Sequence, residues 1–256
     1  MKIVILAGGY GTRLSEETNL IPKPMVQIGG KPIIWHIMKY YSCFGFNEFI
    51  LCCGYKGNVI KDYFFNYHIY NSDITFDLAD NSFISHEQRV EHWKVSCIDT
   101  GIDTLTGGRL EKVSQYINQD EYFAVTYGDG LSNIPIDKLV KFHQSHGKNA
   151  TISASFMPGR FGALEISGNK VLSFTEKPNG DQGRINSGFF ILSPKVLDYI
   201  DGPQCIFEQE PLRKLATDGE LMAFEHNDFF MPMDTIRDKE KLCELWDSDS
   251  APWKIW

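Results

Sequence analysis

The apolar run Ile3-Val4-Ile5-Leu6 stops at a glycine-rich loop, Ala7-Gly8-Gly9-Tyr10-Gly11-Thr12-Arg13-Leu14. An unbroken apolar run of this length suits a strand covered on both faces, as in a parallel sheet. Gly8, Gly9 and Gly11 allow backbone angles that other residues resist, so successive N–H groups can turn toward phosphate oxygens with no Cβ in the way. The loop is not a Walker loop, because no Gly-Lys-Ser/Thr follows, and not a dinucleotide fingerprint, because Leu14 stands where the third glycine belongs. The glycines alone serve a ligand-free strand-to-helix turn equally well. Arg13, and Lys23 within Pro22-Lys23-Pro24-Met25, place two cations just beyond the turn and point to a strongly anionic ligand such as a nucleoside triphosphate.

A net charge of −8 over 256 residues argues against broad binding to nucleic acid or an anionic membrane, so a phosphate site has to be built locally. The apolar content of 43% and charged content of 23% are those of a soluble globular chain, and the length suits one α/β domain over residues 1–256. No repeat, low-complexity tract or long linker divides it. The N-terminal apolar run is too short for a secretory or membrane-spanning segment. Six cysteines without a C-x-x-C pair read as reduced thiols of a cytoplasmic protein, Cys52 and Cys53 facing opposite sides of a strand.

Strand and helix patterns then alternate, which predicts a Rossmann-like, mostly parallel sheet flanked by helices. Helices are expected at Ile33 to Phe44, Asn58 to Tyr67, Arg109 to Ile117, Ile136 to His146, Gln209 to Thr217 and Arg237 to Trp246. Strands are expected at Phe49 to Cys53, Phe123 to Tyr127, Ala150 to Phe156, Ala163 to Ser167, Lys170 to Glu176, Gly188 to Leu192 and Leu221 to Glu225. Asp73 to Leu78 and Val90 to Ile98 alternate as exposed or edge strands around a polar stretch, Asp80 to Gln88, and predict a β excursion near residues 67–103. Right-handed crossovers would bring Gly8 to Gly11 and Gly54 to one sheet edge, where such folds hold ligands.

Asp129, between Gly128 and Gly130 after a buried strand, suits a hard divalent cation shared with phosphates, or else simple turn chemistry. Asp234, before a helix, is a second carboxylate or a helix N-cap. Glu176 and Lys177 end a strand and point to opposite faces, toward different groups of a ligand or into solvent. Asn186 carries an amide that can donate to and accept from sugar hydroxyls, though turn propensity explains it nearly as well. His143 and His146 lack a third metal ligand, and no histidine takes a catalytic role.

Taken in order, Leu6 to Leu14, Pro22 to Met25, Tyr127 to Gly130, Glu176-Lys177-Pro178 and Asp234 resemble the sugar-1-phosphate nucleotidylyltransferases. Cys52 to Gly57, Thr106-Gly107-Gly108-Arg109-Leu110, Pro158 to Leu164 and Met222 to His226 are similar to the cytidylyl branch of that family, and the likeness runs from Met1 to Trp256. The resemblance implies magnesium-dependent transfer of CMP from CTP to α-D-glucose 1-phosphate. It implies that Leu6, Ala7, Gly8, Gly9, Tyr10, Gly11, Thr12, Arg13, Lys23, Thr104, Arg109 and Gly128 bind the nucleotide. By the same carry-over, Arg13, Lys23 and Asp129 are catalytic, and Asp129 with Asp234 holds Mg2+. Lys177 meets the sugar phosphate and Glu176 with Asn186 reads the hexose hydroxyls, in a sugar-binding portion formed by the second half of the chain. The thymidylyl and uridylyl relatives differ around Thr104 to Leu110, which favours cytosine; those activities, or a silent nucleotide-sugar binder on the same fold, are the alternatives. The family further implies a homo-oligomer and a product used for deoxysugars of surface polysaccharides such as lipopolysaccharide O-antigen. The stretch Tyr67 to Asp103 and the tail with Trp253 and Trp256 are expected either to meet another subunit or, for the tail, to fold back on the core.

Overall fold

The computed structural model of the chain describes residues 1–88, 90–156, 163–167, 170–175 and 183–256. In chain order, β1 (Ile3–Leu6) leads through a 3-10 turn at Thr12–Leu14 into α1 (Ser15–Thr18). The small ladder β2 (Gln27–Ile28) with β3 (Lys31–Pro32) precedes α2 (Ile33–Cys43), β4 (Glu48–Cys53), α3 (Gly57–Phe65) and α4 (Tyr67–Tyr70). Then come β5 (Ser72–Asp77), β6 (Ser82–Gln88), β7 (Lys94–Asp99), α5 (Thr106–Lys112) and α6 (Ser114–Ile117). The chain continues through β8 (Phe123–Tyr127), β9 (Gly130–Ser132), α7 (Ile136–His146), β10 (Ala150–Ser155), β11 (Ala163–Ser167), β12 (Lys170–Thr175) and β13 (Ile185–Leu192). It ends with α8 (Glu210–Thr217), β14 (Leu221–His226), β15 (Phe230–Pro232) and α9 (Ile236–Asp247).

Seven strands form one mixed sheet in the order β14-β10-β13-β8-β1-β4-β7. Pairing is parallel throughout except at β13, which runs against both of its neighbours. The unbroken apolar character of β1 has the expected cause, for Ile3 and Ile5 pack into one core layer and Val4 and Leu6 into the other. The first layer includes α2, α7 and Leu242 of α9, and the second includes Leu110 of α5, Ile117 of α6, Val113 between them and Leu215 of α8. Burying each such side chain is worth about 1.5–3 kcal/mol, so the two layers hold the central strand in place. Cys52 and Cys53 face opposite layers and are free thiols.

The excursion differs in detail from the expectation. Ser82–Gln88, read as a polar connection, is the second strand of the hairpin with Ser72–Asp77, while Lys94–Asp99 pairs in parallel with β4 as the edge of the main sheet. Ser72–Asp77 answers to the expected strand at Asp73 to Leu78, whereas its partner is mostly polar and sets Phe83 beside Ile84, so it shows no alternation to read. β13 begins three residues before Gly188, whose φ of +78° and the neighbouring register shift make an irregular strand where a glycine reads as a break. The C-terminal tail folds back: Trp253 is fully buried and stacks on Phe229 at 5.5 Å. Large apolar side chains are exposed on the excursion, including Tyr70, Leu78 and Phe83, and at Phe65 at the end of α3. Among the described residues no helix is long and apolar enough to cross a membrane.

Candidate functional site

Because β1, β4, β7 and β8 run in parallel, Leu6, Cys53, Asp99 and Tyr127 end at one edge of the sheet. The reversed strand β13 starts at that same edge, which brings Asn186 beside the end of β8. A cavity of about 910 Å³ opens there, lined by Gly8 to Arg13 and Lys23 on one side and by Asn186 and Glu208 on the other.

Leu6 and Ala7 are buried at the end of β1, and the loop beyond them is shaped by one cation. Arg109 lies buried beneath it, donating from Nη2 to the Gly8 carbonyl at 3.0 Å and to Ile102 O at 3.3 Å. Its Nη1 donates to Thr100 Oγ1 at 2.6 Å, Gly101 O at 2.9 Å and Cys53 O at 3.2 Å. A β-carbon on Gly8 or Gly54 would meet Nη1 at 2.1 or 2.5 Å, so both glycines make room for this guanidinium. Burial pulls the Arg109 pKa below its ordinary value, but a guanidinium stays charged. The fork therefore pins the glycine loop to the ends of β4 and β7 and keeps a positive charge under it.

The rest of the loop faces the cavity. A β-carbon on Gly9 would meet nothing within 4 Å, whereas Gly11 adopts a φ of +66° that favours glycine and sits against Thr18 and Lys23. Tyr10 donates its hydroxyl to Asp103 at 2.8 Å, tying the loop to the segment that carries Thr104, whose side chain is buried beside Gly101. Gly128 donates its N–H to Leu6 O at 3.0 Å, close under Pro24. Thr12 and Arg13 lie exposed in the 3-10 turn.

Among the described residues, Lys23 sits at the centre of a charge cluster with Asp129, Asp234 and Arg13. Its Nζ donates to Asp129 Oδ2 at 2.6 Å and Asp234 Oδ1 at 2.8 Å, while Arg13 Nη1 donates to Asp234 Oδ2 at 3.0 Å. Burial works against the ammonium, but the Asp129 and Asp234 carboxylates outweigh it and hold the Lys23 pKa above its ordinary value. The two aspartates meet because β9 and β15 pair antiparallel, with Gly130 opposite Pro232, and because Met233 N–H donates to Asp129 O at 2.8 Å. Sequence spacing carries no trace of that ladder. Asp234 is not the helix cap: Thr235 caps α9, accepting from Asp238 N–H while the Asp238 carboxylate accepts from Thr235 N–H at 2.8 Å. Two carboxylates converging on one cationic nitrogen fit a hard divalent ion that completes its shell with phosphate oxygens and water.

On the wall facing the glycine loop, Asn186 donates from Nδ2 to Tyr127 Oη at 3.3 Å and accepts from Gly188 N–H at 2.8 Å. Glu176 and Lys177 lie outside the described residues, as does Pro158 to Gly162 of the cytidylyl-like segment. Sequence reasoning missed Glu208, which accepts from Tyr127 Oη at 2.5 Å and from Thr106 Oγ1 at 2.6 Å at the cavity wall. It also missed Asp103. The one signal for Glu208 is a carboxylate after buried Phe207 and just ahead of a proline-bearing helix start.

Residues 2–225 match the family described as Nucleotidyl transferase. The chain is 58% identical over 256 residues to glucose-1-phosphate cytidylyltransferase of Salmonella typhi, covering 100% of both. It is 30% identical over 245 residues to the mannose-1-phosphate guanylyltransferase catalytic subunit beta of Xenopus tropicalis, covering 93% of this chain and 62% of that one. Among solved structures, HddC from Yersinia pseudotuberculosis complexed with GMP-PN superposes with a TM-score of 0.69 at 31% identity, over 96% of this chain and 99% of that one.

Proposed function

The chain belongs to the nucleotidyl transferase family, and from that premise we propose that it transfers CMP from CTP to α-D-glucose 1-phosphate, releasing diphosphate and CDP-glucose. The observation that carries the reading is the Lys23, Asp129, Asp234 and Arg13 cluster at the mouth of the glycine loop, within a full-length likeness to a cytidylyltransferase. Thr104, Leu105, Thr106 and Arg109 line the cavity, and the cytidylyl-like character of their segment supports cytosine.

In this reading the nucleotide triphosphate lies along Leu6 to Thr12, Thr104, Arg109 and Gly128, with its phosphates met by Arg13 and Lys23. Arg13, with a side chain 76% exposed, can swing onto an incoming phosphate, whereas Lys23 at 10% is held in place. Asp129 and Asp234 would hold magnesium, the chemistry of which is neutralisation of charge on the phosphates and the departing diphosphate. Lys23, fixed between the two carboxylates, keeps its ammonium beside the glycine loop where the triphosphate would lie. The sugar phosphate oxygen then attacks the α-phosphorus in line, the bond to the diphosphate breaks, and no protein nucleophile is required. Lys177 takes the sugar phosphate, and Asn186 with Glu176 contacts the hexose hydroxyls.

The same reading takes residues 1–256 as one domain of a cytoplasmic homo-oligomer serving deoxysugar and lipopolysaccharide O-antigen synthesis. The apolar surface at Phe65, Tyr70, Leu78 and Phe83 supports a subunit contact, and a sedimentation mass of 29.2 kDa would remove that part. The activity itself is tested by incubating the protein with CTP, glucose 1-phosphate and magnesium and identifying the product by mass and phosphorus NMR. CDP-glucose with equimolar diphosphate is expected; neither product forming would defeat the reading.

A further inference from the structure

The segment Pro203 to Glu208 is zipped onto the first turn of α5. Leu105 N–H donates to Pro203 O at 3.0 Å, Gly107 N–H to Cys205 O at 2.9 Å, and Phe207 N–H to Thr106 Oγ1 at 2.9 Å. This contact explains the adjacent glycines, for a β-carbon on Gly108 would lie 2.5 Å from Pro203 backbone and one on Gly107 2.9 Å from Cys205 O. The zipper delivers Glu208 to the cavity wall, where its two oxygens take one hydroxyl each, Thr106 Oγ1 at 2.6 Å and Tyr127 Oη at 2.5 Å.

The chemistry of these partners fixes a chain of donors and acceptors. An ionised carboxylate only accepts, so the single Tyr127 proton goes to Glu208 and the phenol oxygen is left to accept. It accepts from Asn186 Nδ2, and at the other end Gly188 N–H requires the Asn186 oxygen. The side-chain amide of Asn186 is thereby held in one of its two flip states, presenting its remaining N–H and lone pair to the cavity. Gly188 also admits the Tyr127 ring, which would lie 2.3 Å from a β-carbon there. Burial, followed by the Glu208 charge, pushes the Tyr127 pKa far up, so the phenol keeps its proton.

We propose that Glu208 is a positioning residue for sugar recognition, orienting Asn186 through Tyr127 while anchoring that relay to the nucleotide-side turn at Thr106. The inference rests on the reading of Asn186 as a contact for the hexose. Its discriminating property is that the sugar side, and not the nucleotide side, should feel the loss of the carboxylate.

The experiment is steady-state kinetics of Glu208→Gln and Tyr127→Phe, each compared with wild type for both substrates. In both variants KM for glucose 1-phosphate is expected to rise about tenfold, the loss of one well-placed hydrogen bond, with KM for CTP changed less than about twofold. Selectivity for glucose 1-phosphate over galactose 1-phosphate should fall in parallel, and the double variant should be no worse than the weaker single one. Tyr127→Phe keeps the ring, so it tests the relay if Glu208→Gln folds poorly. Equal rises in both KM values, or unchanged sugar KM and selectivity, would overturn the proposal. A wild-type protein that makes no CDP-glucose at all fails the functional reading instead, and the two failures are told apart by that control.

Discussion

Arg109 Nη1 lies 2.1 Å from the place a β-carbon on Gly8 would occupy, so loop and cation are built around each other. A methyl group there has to expel a buried guanidinium from its acceptors. Gly8→Ala is expected to cost roughly 2–3 kcal/mol in stability, and Arg109→Lys, which cannot span the loop and both strand ends, to raise KM for the nucleotide about tenfold. Denaturant unfolding and nucleotide titration check the pair. Arg109→Lys binding the nucleotide as wild type does would show that the fork is dispensable.

Replacing Lys23 by alanine should lower kcat about 10²- to 10³-fold while weakening nucleotide binding less than tenfold, because its charge is used most as the diphosphate departs. Without the ammonium, Asp129 and Asp234 also face each other with one cation fewer, so added magnesium should raise the Tm of the variant more than that of wild type. Unchanged kcat would remove Lys23 from the mechanism.

Asp234 and Thr235 are neighbours with separable duties. Asp234→Ala or Asp129→Ala is expected to abolish turnover at ordinary magnesium with the fold intact. Thr235→Ala should lose about 1 kcal/mol through the α9 cap while retaining turnover. Paired activity and thermal-melt measurements decide it, and full activity in Asp234→Ala would sink the two-carboxylate metal site.

Acid should loosen the C-terminal tail. His36 donates from Nε2 to Ile28 O at 2.8 Å and accepts from Trp253 Nε1 at 3.4 Å, and burial lowers its pKa from 6.5 to about 4. A folded-state pKa depressed in this way contributes stability that is complete above pH 6.5 and is lost as pH falls toward 4, by roughly 3 kcal/mol at the limit. Urea midpoints followed by tryptophan fluorescence should drop between pH 7 and 4.5, with a smaller drop in His36→Gln. His143, also lowered to about 4 by burial, keeps part of the slope. Identical slopes in wild type and variant would contradict the assignment.

The parts of this site that were legible in the sequence are those whose cause is local. The β1 run is apolar because both faces are covered, and the cations Arg13 and Lys23 follow the loop within one connection. Asp129 could be read as a ligand or turn residue from its glycines, but its meeting with Asp234 depends on the β9 and β15 ladder, a contact distant in sequence. Arg109 was legible as a member of the cytidylyl-like segment; that its fork grips Gly8 O and the strand ends was not, because backbone acceptors leave no residue-type signature. Glu208 was missed for a similar reason: its partners come from α5 and β8, and a glutamate near a helix start looks like surface. In the excursion, apolar alternation marked the edge strand Lys94–Asp99 and the hairpin strand Ser72–Asp77, and failed only on Ser82–Gln88, where Phe83 and Ile84 are adjacent in a polar run.

The most direct test compares kcat/KM for CTP, UTP, dTTP and GTP with saturating glucose 1-phosphate, by diphosphate release under one magnesium concentration. CTP should exceed each of the others by about 100-fold or more, the discrimination expected of a site that hydrogen-bonds the base. Equal or greater turnover with UTP or dTTP would contradict cytidylyl transfer, and release with none of the four would contradict nucleotidyl transfer to glucose 1-phosphate.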